Sequence, residues 1–107
     1  MHGRIVHLDR FGNAVTSIAA GEIADQDHAE VEFVARGRVV KEPYRVRLRG
    51  VRRTYADVAP GRPVVYVGSM GFIEIGVRNG SAADKLGIRQ HAPVRVTAPS
   101  PGSGQTG

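Results

Sequence analysis

Four histidines, His2, His7, His28 and His91, are scattered along the 107 residues at spacings that put no two on one face as metal ligands. There is no cysteine to join them, so no metal site is expected. Ser69, in Gly68-Ser69-Met70-Gly71, has the flanking glycines of a nucleophile elbow. That motif needs a strand-to-helix turn and a nearby base, whereas Phe72-Ile73-Glu74-Ile75 continues as another strand. Asp9, Asp57, Glu74 and Asp84 each stand alone, without a second carboxylate to split acid and base roles. These residues on their own therefore supply no catalytic group, and an enzyme working alone is not expected.

Two segments carry residue types that could hold a ligand. In Leu8-Asp9-Arg10-Phe11-Gly12-Asn13-Ala14-Val15-Thr16, an aromatic, a glycine and an amide stand together between two strand-like runs. Asn13 offers both a donor and an acceptor, the pairing that reads an adenine edge, and Phe11 can stack on a base. The competing structural role is a hairpin turn held by Asp9 and Asn13, with Phe11 packed in the core. The second segment runs from Val67 to Ala83. Its glycines at 68 and 71 let a backbone approach a ligand closely, and Glu74 interrupts the apolar run Phe72, Ile73, Ile75. If Glu74 faces inward, its carboxylate needs a partner. If the strand simply alternates, it faces water.

The elements that must position these residues are strands. Runs rich in Val, Ile, Phe and Tyr cover Gly3 to Leu8, Ala14 to Ile18, Ala29 to Ala35, Tyr44 to Leu48, Pro63 to Val67, Phe72 to Val77 and Pro93 to Thr97. Glycines and Pro60-Gly61 punctuate them, which predicts an all-β fold, a small antiparallel β-barrel of about seven short strands. One short helical turn is predicted at 81–86, capped by Ser81 and ended by Gly87. At 107 residues and 41% hydrophobic content the chain makes one domain, residues 1–97, followed by a tail at 98–107 with too little apolar surface to order itself. No apolar run approaches the roughly 20 residues that cross a bilayer, and with no signal-peptide pattern the expected location is the cytoplasm.

The net charge of +5 concentrates in Arg36, Arg38, Lys41, Arg45, Arg47, Arg49, Arg52 and Arg53. Such a stripe could attract phosphate. Arg45, Arg47 and Arg49 also alternate with Val46 and Leu48, as the wet face of a half-buried strand does, and only Tyr44 and Tyr55 lie near enough to stack bases.

Four stretches in order resemble the C-terminal domain of the S-adenosylmethionine hydroxide adenosyltransferases, the family that includes the fluorinating and chlorinating enzymes. They are Gly3-Arg4-Ile5-Val6 leading to Asp9-Arg10-Phe11-Gly12-Asn13, then Thr54-Tyr55-Ala56-Asp57-Val58 with Gly61, then Gly68-Ser69 through Glu74-Ile75, and Asn79-Gly80-Ser81-Ala82-Ala83 with Leu86-Gly87. The resemblance implies a β-barrel that closes over the adenosyl end of S-adenosylmethionine, at a subunit interface in a trimer. The catalytic Asp would belong to a larger N-terminal α/β domain outside these residues, so this chain alone would be inactive. By the same resemblance Asn13 bonds the adenine with Phe11 beside it, and Ser69 meets the methionine portion. Glu74 and Val77 line the nucleoside pocket, with Arg78 and Asn79 approaching the base. Met70 stands where many relatives carry a polar or basic residue, and His91-Ala92 replaces a Gly-acidic pair. S-adenosylmethionine is implied as substrate, with no cofactor. A free-standing adenosyl-binding protein and a basic oligonucleotide-binding barrel remain the alternatives.

Overall fold

The computed structural model describes residues 1–36 and 42–97, and the side chain of residue 55 is not among what it describes. Arg38 and Lys41 of the basic stripe, and the tail at 98–107, lie outside the described residues. The strands are β1 (His2–Leu8), β2 (Ala14–Ala19), β3 (Glu30–Ala35), β4 (Tyr44–Arg49), β5 (Val51–Arg52), β6 (Pro63–Val67), β7 (Phe72–Val77) and β8 (Pro93–Thr97). Helix α1 covers Ala82–Leu86, and 3-10 turns cover Ala20–Glu22 and Tyr55–Asp57. All seven anticipated strands are present within a residue or so of their expected ends. The eighth, β5, is two residues long, too short for periodicity to reveal. Gly50, at φ +88°, turns the chain between β4 and β5.

The strands form one sheet in the order β4-β3-β8-β1-β2-β7-β6-β5, curled into a nearly closed barrel. Every neighbouring pair is antiparallel except β5 and β6, which run parallel with Val51 opposite Val65. Alternate residues point inward and meet in one core, with Ile5, Val31, Phe33, Val65, Ile73, Ile75 and Val94 almost wholly buried. Burying each such side chain contributes about 1.5–3 kcal/mol, the main stabilising term in a chain without disulfides. No helix of the described residues is long and apolar enough to cross a membrane.

Two local devices keep the segments that matter in place. On β2 the pairing with β7 is irregular between Val15 and Ala19, and the fully buried Thr16 bridges the gap. Its hydroxyl donates to the carbonyl of Ile73 (2.8 Å) and accepts from the amide of Ile18 (3.1 Å), tying β2 to β7 where their pairing is irregular. Helix α1 begins as its sequence predicts, with Ser81 Oγ accepting from the amide of Asp84 at 3.1 Å, and ends at Gly87 in the left-handed conformation, φ 61°.

Candidate ligand-binding cleft

The loop from β1 to β2 is organised by Asp9. Its Oδ1 accepts from the amides of Phe11 and Asn13, both at 2.9 Å, while its Oδ2 accepts from Asn13 Nδ2 at 3.2 Å. Two main-chain bonds, Asp9 N to Asn13 O and Gly12 N to Asp9 O, close the turn. Asn13 thus helps hold the hairpin, but its side chain does so through only one of its N–H bonds. Among the described residues its Oδ1 accepts no hydrogen bond, which leaves a donor and an acceptor for a ligand. Phe11 does not join the core: it is 65% exposed, with the Arg10 guanidinium 4.9 Å from its ring centroid.

The same turn is locked onto α1. The amide of Ala83 donates to the carbonyl of Gly12 at 2.9 Å, and Gly12, at φ +84°, leaves no room for a Cβ, which would lie 1.8 Å from Ser81 Oγ. This contact draws the β1–β2 loop towards the segment after β7. The result is an open cleft of about 410 Å³ lined by Phe11, Asn13, Val77, Asn79 and Gly80. Asn79 adopts φ 59°, a left-handed conformation that Asn tolerates better than most residues, and is exposed.

Glu74 sits farther along β7, opposite Val15 on one side and Tyr66 on the other. Its carboxylate is half-buried and accepts a hydrogen bond from the Tyr66 hydroxyl at 3.0 Å. The carboxylate lies over Gly68, whose Cβ, if it had one, would be 1.8 Å from Glu74 Oε2. Gly76 is similarly enclosed, with Asn13 Oδ1 and Tyr66 Cε1 each 3.0 Å from the position of a Cβ. Asn13 at the end of the β1–β2 loop, Glu74 on β7 and Tyr66 on β6 therefore form one continuous strip.

The remaining candidates lie elsewhere. Ser69 and Met70 form the exposed β6–β7 turn, with Met70 83% exposed. That turn is at the opposite end of β7 from Asn79, separated from it by the six residues of the strand, roughly 20 Å. Arg78 does not line the cleft. Its Nη1 donates to the carbonyls of Val58 (2.7 Å) and Ala56 (3.3 Å), tying the Tyr55–Asp57 turn to the end of β7. In the basic stripe, Arg45 Nη1 and Arg47 Nε lie 3.2 and 2.9 Å from the oxygens of Glu32, and Arg47 also reaches Glu30 at 3.8 Å. Among the described residues of the stripe, Arg45 and Arg47 are thus paired with the acids of β3. Among the described residues no group of three or more His, Asp or Glu is placed to hold a metal ion.

Fold and cleft together define a small β-barrel domain that offers stacking and hydrogen-bonding groups at one rim. Residues 3–95 match the family model described as the SAM hydroxide adenosyltransferase C-terminal domain, and the chain belongs to that family. It is 36% identical over 94 residues to an (R)-S-adenosyl-L-methionine hydrolase of Thermus thermophilus, and 38% identical over 94 residues to one of Salinispora tropica. In both cases 88% of this chain is covered but only 31% of the relative, so the chain spans about a third of their length. Among solved structures it resembles a conserved hypothetical protein from Thermus thermophilus, with 38% identity and a TM-score of 0.63 over 90% of this chain and 34% of that one. An uncharacterized conserved protein from Thermotoga maritima shares the fold, with a TM-score of 0.67 at 24% identity over 90% of this chain and 35% of that one.

Proposed function

We propose that this chain is the adenosyl-binding domain of an S-adenosylmethionine hydrolase and works with a catalytic α/β domain supplied in the same chain or separately. The observation that carries the proposal is the meeting of Phe11, Asn13, Val77 and Asn79 around one cleft, next to the strip that ends in Glu74. Phe11 offers a face for the adenine and Asn13 a donor and an acceptor for its edge. Glu74, fixed by Tyr66, has a second oxygen with which to accept from a sugar hydroxyl. Ser69 and Met70 stand at the far end of β7, where the methionine portion extends. In the reaction a water oxygen bonds to the ribose 5′ carbon while the carbon–sulfur bond breaks. The electron pair leaves with methionine and a proton is released, giving adenosine. Because the sulfonium already activates that carbon, the barrel's contribution is to align the substrate and exclude bulk water. The complete enzyme is taken to be a cytoplasmic trimer, as the family resemblance implies.

The test is an NMR titration of the chain with adenosine and with S-adenosylmethionine, and with a short single-stranded oligonucleotide as control. Amide shifts are expected at Phe11–Asn13 and Val77–Asn79, extending to Ser69–Glu74 with the larger ligand. Binding of the oligonucleotide alone, through Arg45–Arg53, would replace this function with nucleic-acid binding. The chain by itself is expected to release no adenosine from S-adenosylmethionine above the uncatalysed rate; release above it would move the catalytic groups onto the barrel.

A further inference from the structure

The barrel does not close completely. At the seam, where β4 approaches β6, lies a second cleft of about 230 Å³. Arg49, Arg52 and Arg62 line it, with Leu48, Val58 and Val65 among its apolar walls. Among the described residues no carboxylate lines it. The contrast with the rest of β4 is informative. Arg45 and Arg47 are satisfied by Glu30 and Glu32, whereas Arg49, Arg52 and Arg62, among the described residues, make no side-chain hydrogen bond or ion pair. Although Arg49 is the register partner of Glu30, the Glu30 carboxylate turns instead to Arg47. The Arg52 guanidinium folds back over Gly50, its Cζ 3.6 Å from the position a Cβ there would take. Val58 and Ala59, which follow the Tyr55–Asp57 turn and form one wall, are anchored by the Arg78 bond to the Val58 carbonyl, so that wall is held in place without using these three arginines.

We propose that this seam is a binding site for a small phosphate-bearing anion of the diphosphate or triphosphate class, separate from the adenosyl cleft. Three guanidiniums with no acid among them match a ligand that concentrates several negative charges in a small volume. A single carboxylate would leave two of them unmet. The planar forks of arginine bind phosphate oxygens in pairs. A free anion and the phosphates of a nucleic-acid backbone share this chemistry, but the seam is short and its basic continuation along β4 is neutralised by glutamates, which favours the free anion.

The experiment is an NMR titration of the chain with inorganic triphosphate, against sodium sulfate at equal ionic strength and a 12-nucleotide single strand. Triphosphate is expected to shift the amides of Gly50–Arg53 and Val58–Val65 saturably, and to leave Phe11–Asn13 unmoved. Arg52→Gln and Arg62→Gln should each weaken binding at least about fivefold, since each removes a charge-assisted contact. Arg89→Gln, an exposed arginine on another cleft, removes the same charge and should change binding by less than about twofold. Equal losses in all three variants, or shifts of similar size at Arg36 and Arg89, would reduce the effect to diffuse attraction by net charge and overturn the proposal. So would tighter binding of the oligonucleotide with shifts running through Arg45 and Arg47, and so would triphosphate and sulfate binding alike.

Discussion

Gly12 and Gly68 each lack a side chain for a different reason, and replacing them should have different consequences. At Gly12 a Cβ meets Ser81 Oγ and also demands a positive φ, so neither the turn nor the helix cap can yield easily. Gly12→Ala should cost about 2 kcal/mol, from left-handed strain and a weakened cap, read as a fall in the urea midpoint. At Gly68 the φ is ordinary and the obstructing atom is the free end of Glu74, which can swing aside. Gly68→Ala should therefore cost only about 1 kcal/mol, the loss of the Tyr66–Glu74 hydrogen bond, while weakening adenosine binding. Equal destabilisation by the two substitutions would contradict this distinction. The place of Glu74 in an apolar run left it open whether its carboxylate faces inward to a partner or outward to water. Tyr66 was not legible as that partner, because nothing in one strand's sequence says which residue of its neighbour lies opposite. Phe11 and Asn13 stood out by residue type, but that Asn13 shares its amide between hairpin and cleft depends on the orientation of Asp9.

At the scale of single elements, the outer face of β3, β4 and β8 is a ladder of charges centred on Glu32. The hydrogen bond from Arg47 is the largest influence and holds the Glu32 carboxyl below the usual glutamate range. The charges of Arg47, Arg45 and Arg95 add to it, and partial desolvation opposes it. Because the folded value is depressed, the stabilisation is fully present above the ordinary glutamate value and disappears as pH falls through the folded one. The denaturant midpoint should therefore drop on acidification through that range. Glu32→Gln should lower stability at neutral pH and converge with the parent protein in acid, with the gap narrowing in high salt because the arginine heads are exposed. A constant gap between the two proteins across pH would exclude Glu32 as the source. The alternation of Arg45, Arg47 and Arg49 with Val46 and Leu48 announced an exposed strand face. The irregularity at Thr16 was hidden, since a threonine in a strand looks the same whether it points to water or ties its strand to a neighbour.

For the molecule as a whole, seven strands and a capped helical turn followed from local composition, because turn residues and apolar runs act over a few positions. The order of strands, the parallel β5 and the open seam did not, because they depend on pairings far apart in sequence. Strand β8 is the extreme case. It sits between β3 and β1, joined to one through Val31–Val96 and to the other through Gly3–Val94. Until it docks, β3 and β4 have no strand pairing to β1, β2, β7, β6 and β5, so the earlier strands pair in two separate groups with open edges. A chain ending at residue 92 should accordingly lose amide dispersion and cooperative melting together; a native-like spectrum from it would refute this dependence. On the ribosome, folding of this barrel must therefore wait until its last strand has cleared the exit tunnel, and any chaperone that shields β1 and β3 in the interval holds the step that completes the sheet.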